Sequence, residues 1–404
     1  MNKYQTIVIG AGASGLFFSS LCKQSDQVLI IEKNPYPGKK LNITGKGRCN
    51  ITNYSSPRNV LDNIFANKKF MYSSIYTLPP EKTVEYFHNL GLDTKTERGN
   101  RVFPISDKAK DVSKTLFKHA CATFNFDEIV LSVKKENTFK IRTNKQEYQS
   151  KNLVIATGGK SYPLTGSTGD GYKFAESFHH SITPLYPALV GFYLKSDHLK
   201  NLAGLSLRNV SGKLMSEDGR VFNEEFGEML FTHKGISGPA ILRLSAFYSS
   251  QARKLSIDLK PALSMEMLET RIQRDFDRNG TKFIKNVLHE LMPTSLIGIV
   301  LSQSEINETS TIHTITKQER NRLAYTIKNL QFSIDALGDF SEAVITNGGV
   351  DVTEINPKTM ESKFVDGLYF IGEVLDVAAN TGGYNLQIAF STAYQAYNHI
   401  GGKQ

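Results

Sequence analysis

Cysteine is scarce in this 404-residue chain: the three present, Cys22, Cys49 and Cys121, form no C-x-x-C pair. That argues against a disulfide framework, a zinc knuckle and a dithiol redox centre, and leaves three reduced thiols. Long apolar runs are missing too; none approaches the roughly 18 residues that span a bilayer. The N-terminus has no basic, apolar and small-residue sequence of a secretory signal, so a cytoplasmic protein is expected. Low-complexity tracts and internal repeats are also absent. With 40% hydrophobic and 22% charged residues, the chain is expected to fold throughout, and its length points to two or three packed units.

Charge is present in excess. The net value of +9 suits anionic cofactors or substrates, a membrane surface or a nucleic acid. Basic residues read as spread along the chain and the usual aromatic-basic RNA-binding signatures are missing, which favours a solvated surface over a nucleic-acid partner.

The N-terminus carries the first chemistry. Tyr4-Gln5-Thr6-Ile7-Val8-Ile9 reads as a buried strand, leading into Gly10-Ala11-Gly12-Ala13-Ser14-Gly15 and an apolar-periodic helix to Leu21. A second strand, Val28-Leu29-Ile30-Ile31, ends on Glu32, about 20 residues past the first glycines, as a dinucleotide-binding βαβ unit requires. Gly10 permits the tight turn, Gly12 leaves room for a pyrophosphate on the helix N-terminus and Gly15 lets helix and strand approach. Glu32 is placed to accept hydrogen bonds from the adenosine ribose and to repel a 2′-phosphate, favouring FAD or NAD over NADP.

Beyond Glu32 the chain does not continue a simple run of βα units. Residues 34–53 form a loop rich in Gly and Pro that carries Lys40 and Arg48, cations able to offset phosphate charge or the charge of a reduced flavin. Cys49 lies in the same loop without a partner. Helices are expected over residues 80–90 and 108–122, strands over 127–133 and 139–142. Leu153-Val154-Ile155-Ala156 reads as a buried strand ending at Thr157-Gly158-Gly159.

Strands and turns alternate over residues 184–259. Residues 265–276, 283–292 and 317–330 have helical spacing. Near the C-terminus a strand over residues 367–373 leads through Gly372-Glu373 and Thr381-Gly382-Gly383-Tyr384-Asn385 into a helix over 383–399. This second helix N-terminus suits the N1 and O2 side of a flavin ring, and NAD needs no such site, so FAD is expected. No second G-x-G-x-x-G follows a strand, which argues against a built-in NADPH domain while leaving NAD(P)H open as a transient donor.

Together these pieces resemble the YhiN/BaiN-like flavoproteins, also known as the aminoacetone oxidase family of FAD enzymes. The resemblance rests on IGAGASGL, GKKLNITGKGRCNITN, FPISDKAKDV, ATGG, FTHKGISGPAILRLS, TNGGVDVTEINPKTMES and GLYFIGEVLDVAANTGGYNLQIAFSTAYQA, which run the length of the chain. It implies an α/β fold: a Rossmann-like FAD-binding domain from residues 1–187 and 338–404, a β-rich substrate domain from 188–260 and about 331–337, and a helical subdomain over 261–330.

It further implies that Glu32 meets the ribose, backbone near Val130 meets the adenine, and residues 372–385 surround the flavin. The expected cofactor residues are Gly10, Gly12, Ala13, Ser14, Gly15, Glu32, Lys33, Lys40, Leu41, Asn42, Arg48, Cys49, Asn50, Val130, Ala156, Thr157, Gly158, Gly372, Glu373, Gly382, Gly383, Tyr384 and Asn385. No metal is expected. Candidates for chemistry are His233 and Lys234 in Thr232-His233-Lys234-Gly235, with Tyr384 as a substrate hydrogen-bonding group.

The activity expected is hydride transfer between flavin and an unidentified small organic substrate, as an NAD(P)H-linked reductase or an amine-type oxidase. The alternative is a basic flavoprotein that binds or modifies RNA. Oligomeric state is left open.

Overall fold

The computed structural model describes residues 2–23, 26–196, 199–249 and 251–402. Two compact units divide the chain: residues 1–187 with 340–404, and residues 188–339.

The first unit is built on a seven-stranded sheet. The strands run in the order Thr123–Asn125, Val28–Ile31, Asn2–Ile9, Glu147–Ile155, Phe139–Thr143 and Val130–Lys135, and Leu368–Phe370 also pairs with Glu147–Ile155. The pairs joining Thr123–Asn125, Val28–Ile31, Asn2–Ile9, Glu147–Ile155 and Leu368–Phe370 are parallel; Phe139–Thr143 pairs antiparallel with both Glu147–Ile155 and Val130–Lys135. Strands covered on both faces must be apolar throughout, and Val28–Ile31 and Leu368–Phe370 are buried at every position.

Glu147–Ile155 shares one edge between two partners. Its first half pairs with Phe139–Thr143 and its last three residues with Leu368–Phe370, which brings the C-terminal segment beside the first strand's neighbour. The helices Ala13–Leu21 and Tyr384–Gly402 pack together through Phe17 and Phe390, whose rings stack at 4.7 Å. Both ends of the chain thereby share one core.

The second unit contains a closed six-stranded barrel. Its order is Phe192–Lys195, Gly235–Ser237, Val221–Phe231, Ser206–Ser216, Ala252–Asp258 and Leu330–Leu337. Closure removes the exposed edges that an open sheet of this size would carry. Helices Met265–Asp277, Thr294–Gln303 and Lys317–Lys328 belong to the same unit and bury Leu268, Val300 and Leu323 in one hydrophobic cluster with barrel residues Leu214 and Leu255. Among the described residues no helix is long and apolar enough to cross a membrane, and no group of three His, Cys, Asp or Glu side chains is arranged to hold a metal ion.

Candidate functional site

The three glycines of the first turn are held for three different reasons. Gly10 has φ +104, and a Cβ there would lie 2.6 Å from the Ala156 carbonyl oxygen; one at Gly15 would lie 2.0 Å from the Gly10 carbonyl oxygen. A Cβ at Gly12 would meet nothing within 4 Å. Gly12 also caps the helix Ala13–Leu21 without a side-chain cap, and no acidic residue occupies the first turn. The first-turn N–H groups therefore lack an intrahelical acceptor and face a site suited to an anion.

Glu32 is 7% exposed at the end of its strand. Its Oε2 accepts from the Ala11 N–H at 2.7 Å, and its Oε1 accepts from the Asn34 backbone N–H at 2.8 Å and Nδ2 at 2.7 Å. A carboxylate offers about four acceptor positions, so one remains on Oε2.

A cavity of about 930 Å³ opens over this turn, lined among the described residues only by those of the first unit. The expected residues that line it are Gly10, Gly12, Ala13, Ser14, Glu32, Lys33, Lys40, Leu41, Arg48, Asn50, Val130, Ala156, Thr157, Gly158, Glu373, Gly382, Gly383 and Asn385. Ends of the chain more than 350 residues apart thus meet on one cavity. The Asn50 Oδ1 is buried without a hydrogen-bond partner among the described residues, an acceptor left for a bound group. With the unpaired first-turn N–H groups and the open space at Gly12, these residues fit a dinucleotide such as FAD.

The basic side chains around the cavity are mostly paired. Lys40 Nζ lies 2.7 Å from Glu373 Oε2 and donates to Ser161 Oγ at 2.6 Å; Ser161 in turn donates to Glu373 Oε1 at 2.9 Å. This cluster ties the Gly-rich loop to the C-terminal segment. Lys33 pairs with Asp170 at 2.6 Å.

Arg48 bonds Glu97 and lies 2.6 Å from Asp107, with its guanidinium 4.1 Å from the centre of the Phe103 ring. These bonds raise the Arg48 pKa and hold the Glu97 carboxyl below the usual carboxylate range; Asp107 is held low first by a bond from Lys95 and then by Arg48. Arg48 therefore faces the cavity with its charge already met by two carboxylates, unlike the free cation the loop suggested.

Five expected cofactor residues do not line the cavity, nor do His233 and Lys234. Gly15 is packed beneath the turn, Gly372 lies where a Cβ would be 2.6 Å from Ser14 Oγ, and Asn42 accepts from Ser113 Oγ at 2.6 Å. Cys49 is fully buried with φ +60, and burial pushes its thiol up to about 12. Tyr384 is 8% exposed and its hydroxyl reaches Asn59 Oδ1 at 3.4 Å. His233 and Lys234 belong to the second unit, exposed on the turn between Val221–Phe231 and Gly235–Ser237, with Lys234 Nζ 5.4 Å from the Tyr193 ring.

Conversely, Asn34, Lys46, Arg101, Phe103 and Ala389 line the cavity without having stood out in the sequence. Arg101 and Phe103 flank Val102 on the strand Arg101–Pro104, so period 2 puts them on one face without showing what that face meets.

A parallel sheet with a glycine turn, an acidic strand end and a second helix N-terminus from the far end of the chain defines an FAD-dependent oxidoreductase of the Rossmann type. The chain belongs to the HI0933-like family: the family model described as "HI0933-like protein Rossmann domain" matches residues 4–399. It is similar to the "Ribosomal RNA dihydrouridine synthase" of Escherichia coli (strain K12), 33% identical over 98% of this chain and 97% of that one. A protein of the same name from Haemophilus influenzae is 32% identical over 98% of each chain. The "3-dehydro-bile acid delta(4,6)-reductase" of Clostridium scindens is 32% identical over 96% of this chain and 97% of its own length.

Proposed function

We propose that this protein is an FAD-dependent reductase of a carbon–carbon double bond conjugated to a carbonyl, and that its substrate is a uridine of ribosomal RNA. The observation that carries the reading is end-to-end similarity to relatives whose names describe a single chemistry. Dihydrouridine arises when the uracil C5=C6 bond, conjugated to C4=O, gains two hydrogens. A delta(4,6) 3-oxo steroid acid carries the same kind of conjugated bond.

Bound FAD, once reduced, supplies the hydride. In this reading the electron pair arrives at the ring carbon β to the carbonyl and a proton is added at the α carbon. NAD(P)H is the class of donor that restores the electrons. The protein's own part is positional. Gly12 and the first-turn N–H groups would hold the pyrophosphate, Glu32 would hold the ribose, and Thr381, Gly382, Gly383 and Asn385 would hold the flavin. His233, Lys234 and Tyr384 stay as candidates for holding the substrate or moving its proton.

The test is anaerobic. FAD-loaded protein, NADPH or NADH, and deproteinised ribosomal RNA free of dihydrouridine are incubated, and digested nucleosides are weighed. A nucleoside two hydrogens heavier than uridine is the expected product. If RNA stays unchanged while a 3-oxo-4-ene steroid is reduced, the substrate is a free enone, the second reading that the bile-acid reductase favours. Peroxide formed from small amines in air, with neither reduction, would overturn both.

A further inference from the structure

Resting on the RNA reading, we propose that a basic, tyrosine-bearing band formed by residues 33–118 grips a single-stranded RNA segment beside the FAD cavity. The whole charge excess lies in this band. It holds 16 of the 48 Lys and Arg but 7 of the 39 Asp and Glu, so the remainder of the chain is balanced. The basic residues that read as spread along the chain are thus matched by acids in sum over the rest of it, 32 against 32.

The exposed tyrosines, Tyr325 aside, all fall within the same stretch of chain. Tyr36, Tyr54, Tyr72 and Tyr76 are 47% to 57% exposed, and the rings of Tyr72 and Tyr76 are nearly parallel, at 15°. A sequence scan misses this combination because most tyrosines of a folded chain are packed; exposure separates these four, with Tyr325, from the other twelve tyrosines.

Two further observations distinguish a binding face from an ordinary solvated one. First, exposed Lys46, Arg58, Lys69 and Arg98 have no carboxylate partner among the described residues, whereas Lys33 and Lys40 each have one and Arg48 and Lys95 two. Unpaired cations are free to meet phosphates and release counterions.

Second, the band adjoins the cavity. Asn53 Nδ2 donates to the carbonyls of Gly99 and Gly382, at 2.9 and 3.2 Å, and the Tyr54 N–H donates to the Asn100 carbonyl at 2.7 Å. The strand Ile64–Ala66 pairs with Ala378–Ala379, just before the cavity-lining residues 381–383. Positive charge for the backbone and rings for the bases are what a sequence-tolerant single-strand site requires. Single-stranded RNA is the fitting form, since a ring double bond inside a duplex is covered by its neighbours.

The test uses the full, FAD-loaded protein with a short oligouridylate as probe and heparin as a polyanion without bases. Tyr72→Ala with Tyr76→Ala is expected to lower oligouridylate affinity about tenfold and leave heparin retention unchanged. Arg58→Ala with Lys69→Ala should weaken both, and should reduce the slope of log affinity against log salt by about 1.4, two contacts at about 0.7 each. None of the four residues lines the cavity, so flavin absorbance should match the parent and serves as the folding control.

Oligouridylate binding unchanged in the tyrosine pair overturns the surface, as does binding that heparin or anionic lipid vesicles match regardless of the tyrosines. Dihydrouridine formed at the parent rate by both pairs overturns the surface alone. If the parent neither binds oligouridylate at low salt nor forms dihydrouridine, the RNA reading falls and the surface with it.

Discussion

Gly12 and Gly15 stand three residues apart and answer substitution in opposite ways. Gly12 has ordinary extended backbone angles, φ −77 and ψ −162, and open space where a side chain would project. Gly12→Val should therefore cost the fold only about 1 kcal/mol, the N-cap preference, while its methyls occupy the space reserved for a pyrophosphate. The purified variant is expected to be colourless and folded. Gly15→Ala meets the Gly10 carbonyl instead and should destabilise by about 3 kcal/mol, lowering the urea midpoint whether or not FAD is added. A yellow Gly12→Val protein would remove the pyrophosphate from this turn.

The cysteines sort by burial in the same way. Cys22 and Cys49 are buried with raised thiol pKa values and Cys121 is exposed. Because the thiolate is the reactive form, the native protein should react with about one equivalent of a thiol reagent at pH 8, and with all three thiols once denatured.

At the scale of elements, the sequence was most legible where one physical demand acts alone. Residues 7–9 and 28–31 must be apolar because a parallel strand is covered on both faces, and the glycine turn must be small because backbone meets backbone there. The expected helix over 283–292 instead breaks into Ile284–Val287 and Leu288–Glu290, and Thr294–Gln303 comes after it unannounced. That last helix buries Leu296, Ile297, Ile299, Val300 and Leu301, apolar on most sides, so no 3.6-residue stripe shows in its sequence.

The site was half legible for a similar reason. Glu32 follows from spacing, but the partners of Arg48 lie 49 and 59 residues away, where local pattern carries no information. His180 is another such long-range junction. Its Nδ1 lies 2.8 Å from Glu354 Oε2 and its Nε2 2.8 Å from Ser362 Oγ, joining elements some 180 residues apart.

Burial holds the His180 imidazole below its usual 6.5, against the pull of Glu354. Glu354, which burial alone would raise, is drawn below 4.5 by bonds from Ser181 and His180. Both folded values are depressed, so the unfolded chain binds more protons as pH falls, and the contribution present above about pH 6.5 is lost below it. The urea midpoint should be level from pH 7 to 8 and fall below about 6.5, and His180→Gln should flatten that fall. An equally steep profile in the variant would assign the acid sensitivity to other groups.

For the molecule as a whole, the division into two units makes FAD a selective stabiliser. A ligand that binds only the native state adds RT ln(1 + [L]/Kd), about 2.7 kcal/mol at a hundredfold excess over Kd. Every residue lining the cavity belongs to the first unit, so that gain acts on the unfolding of residues 1–187 with 340–404. Residues 188–339 have a closed barrel and a hydrophobic cluster of their own, and they form one continuous stretch of chain. Expressed alone, this stretch is expected to unfold cooperatively at a midpoint that added FAD does not move. The full chain should show a transition that FAD raises and whose size scales with the logarithm of its concentration. A fragment stabilised by FAD would place part of the cofactor site on the barrel unit; a full chain with no FAD-dependent transition would remove the cofactor from the cavity altogether.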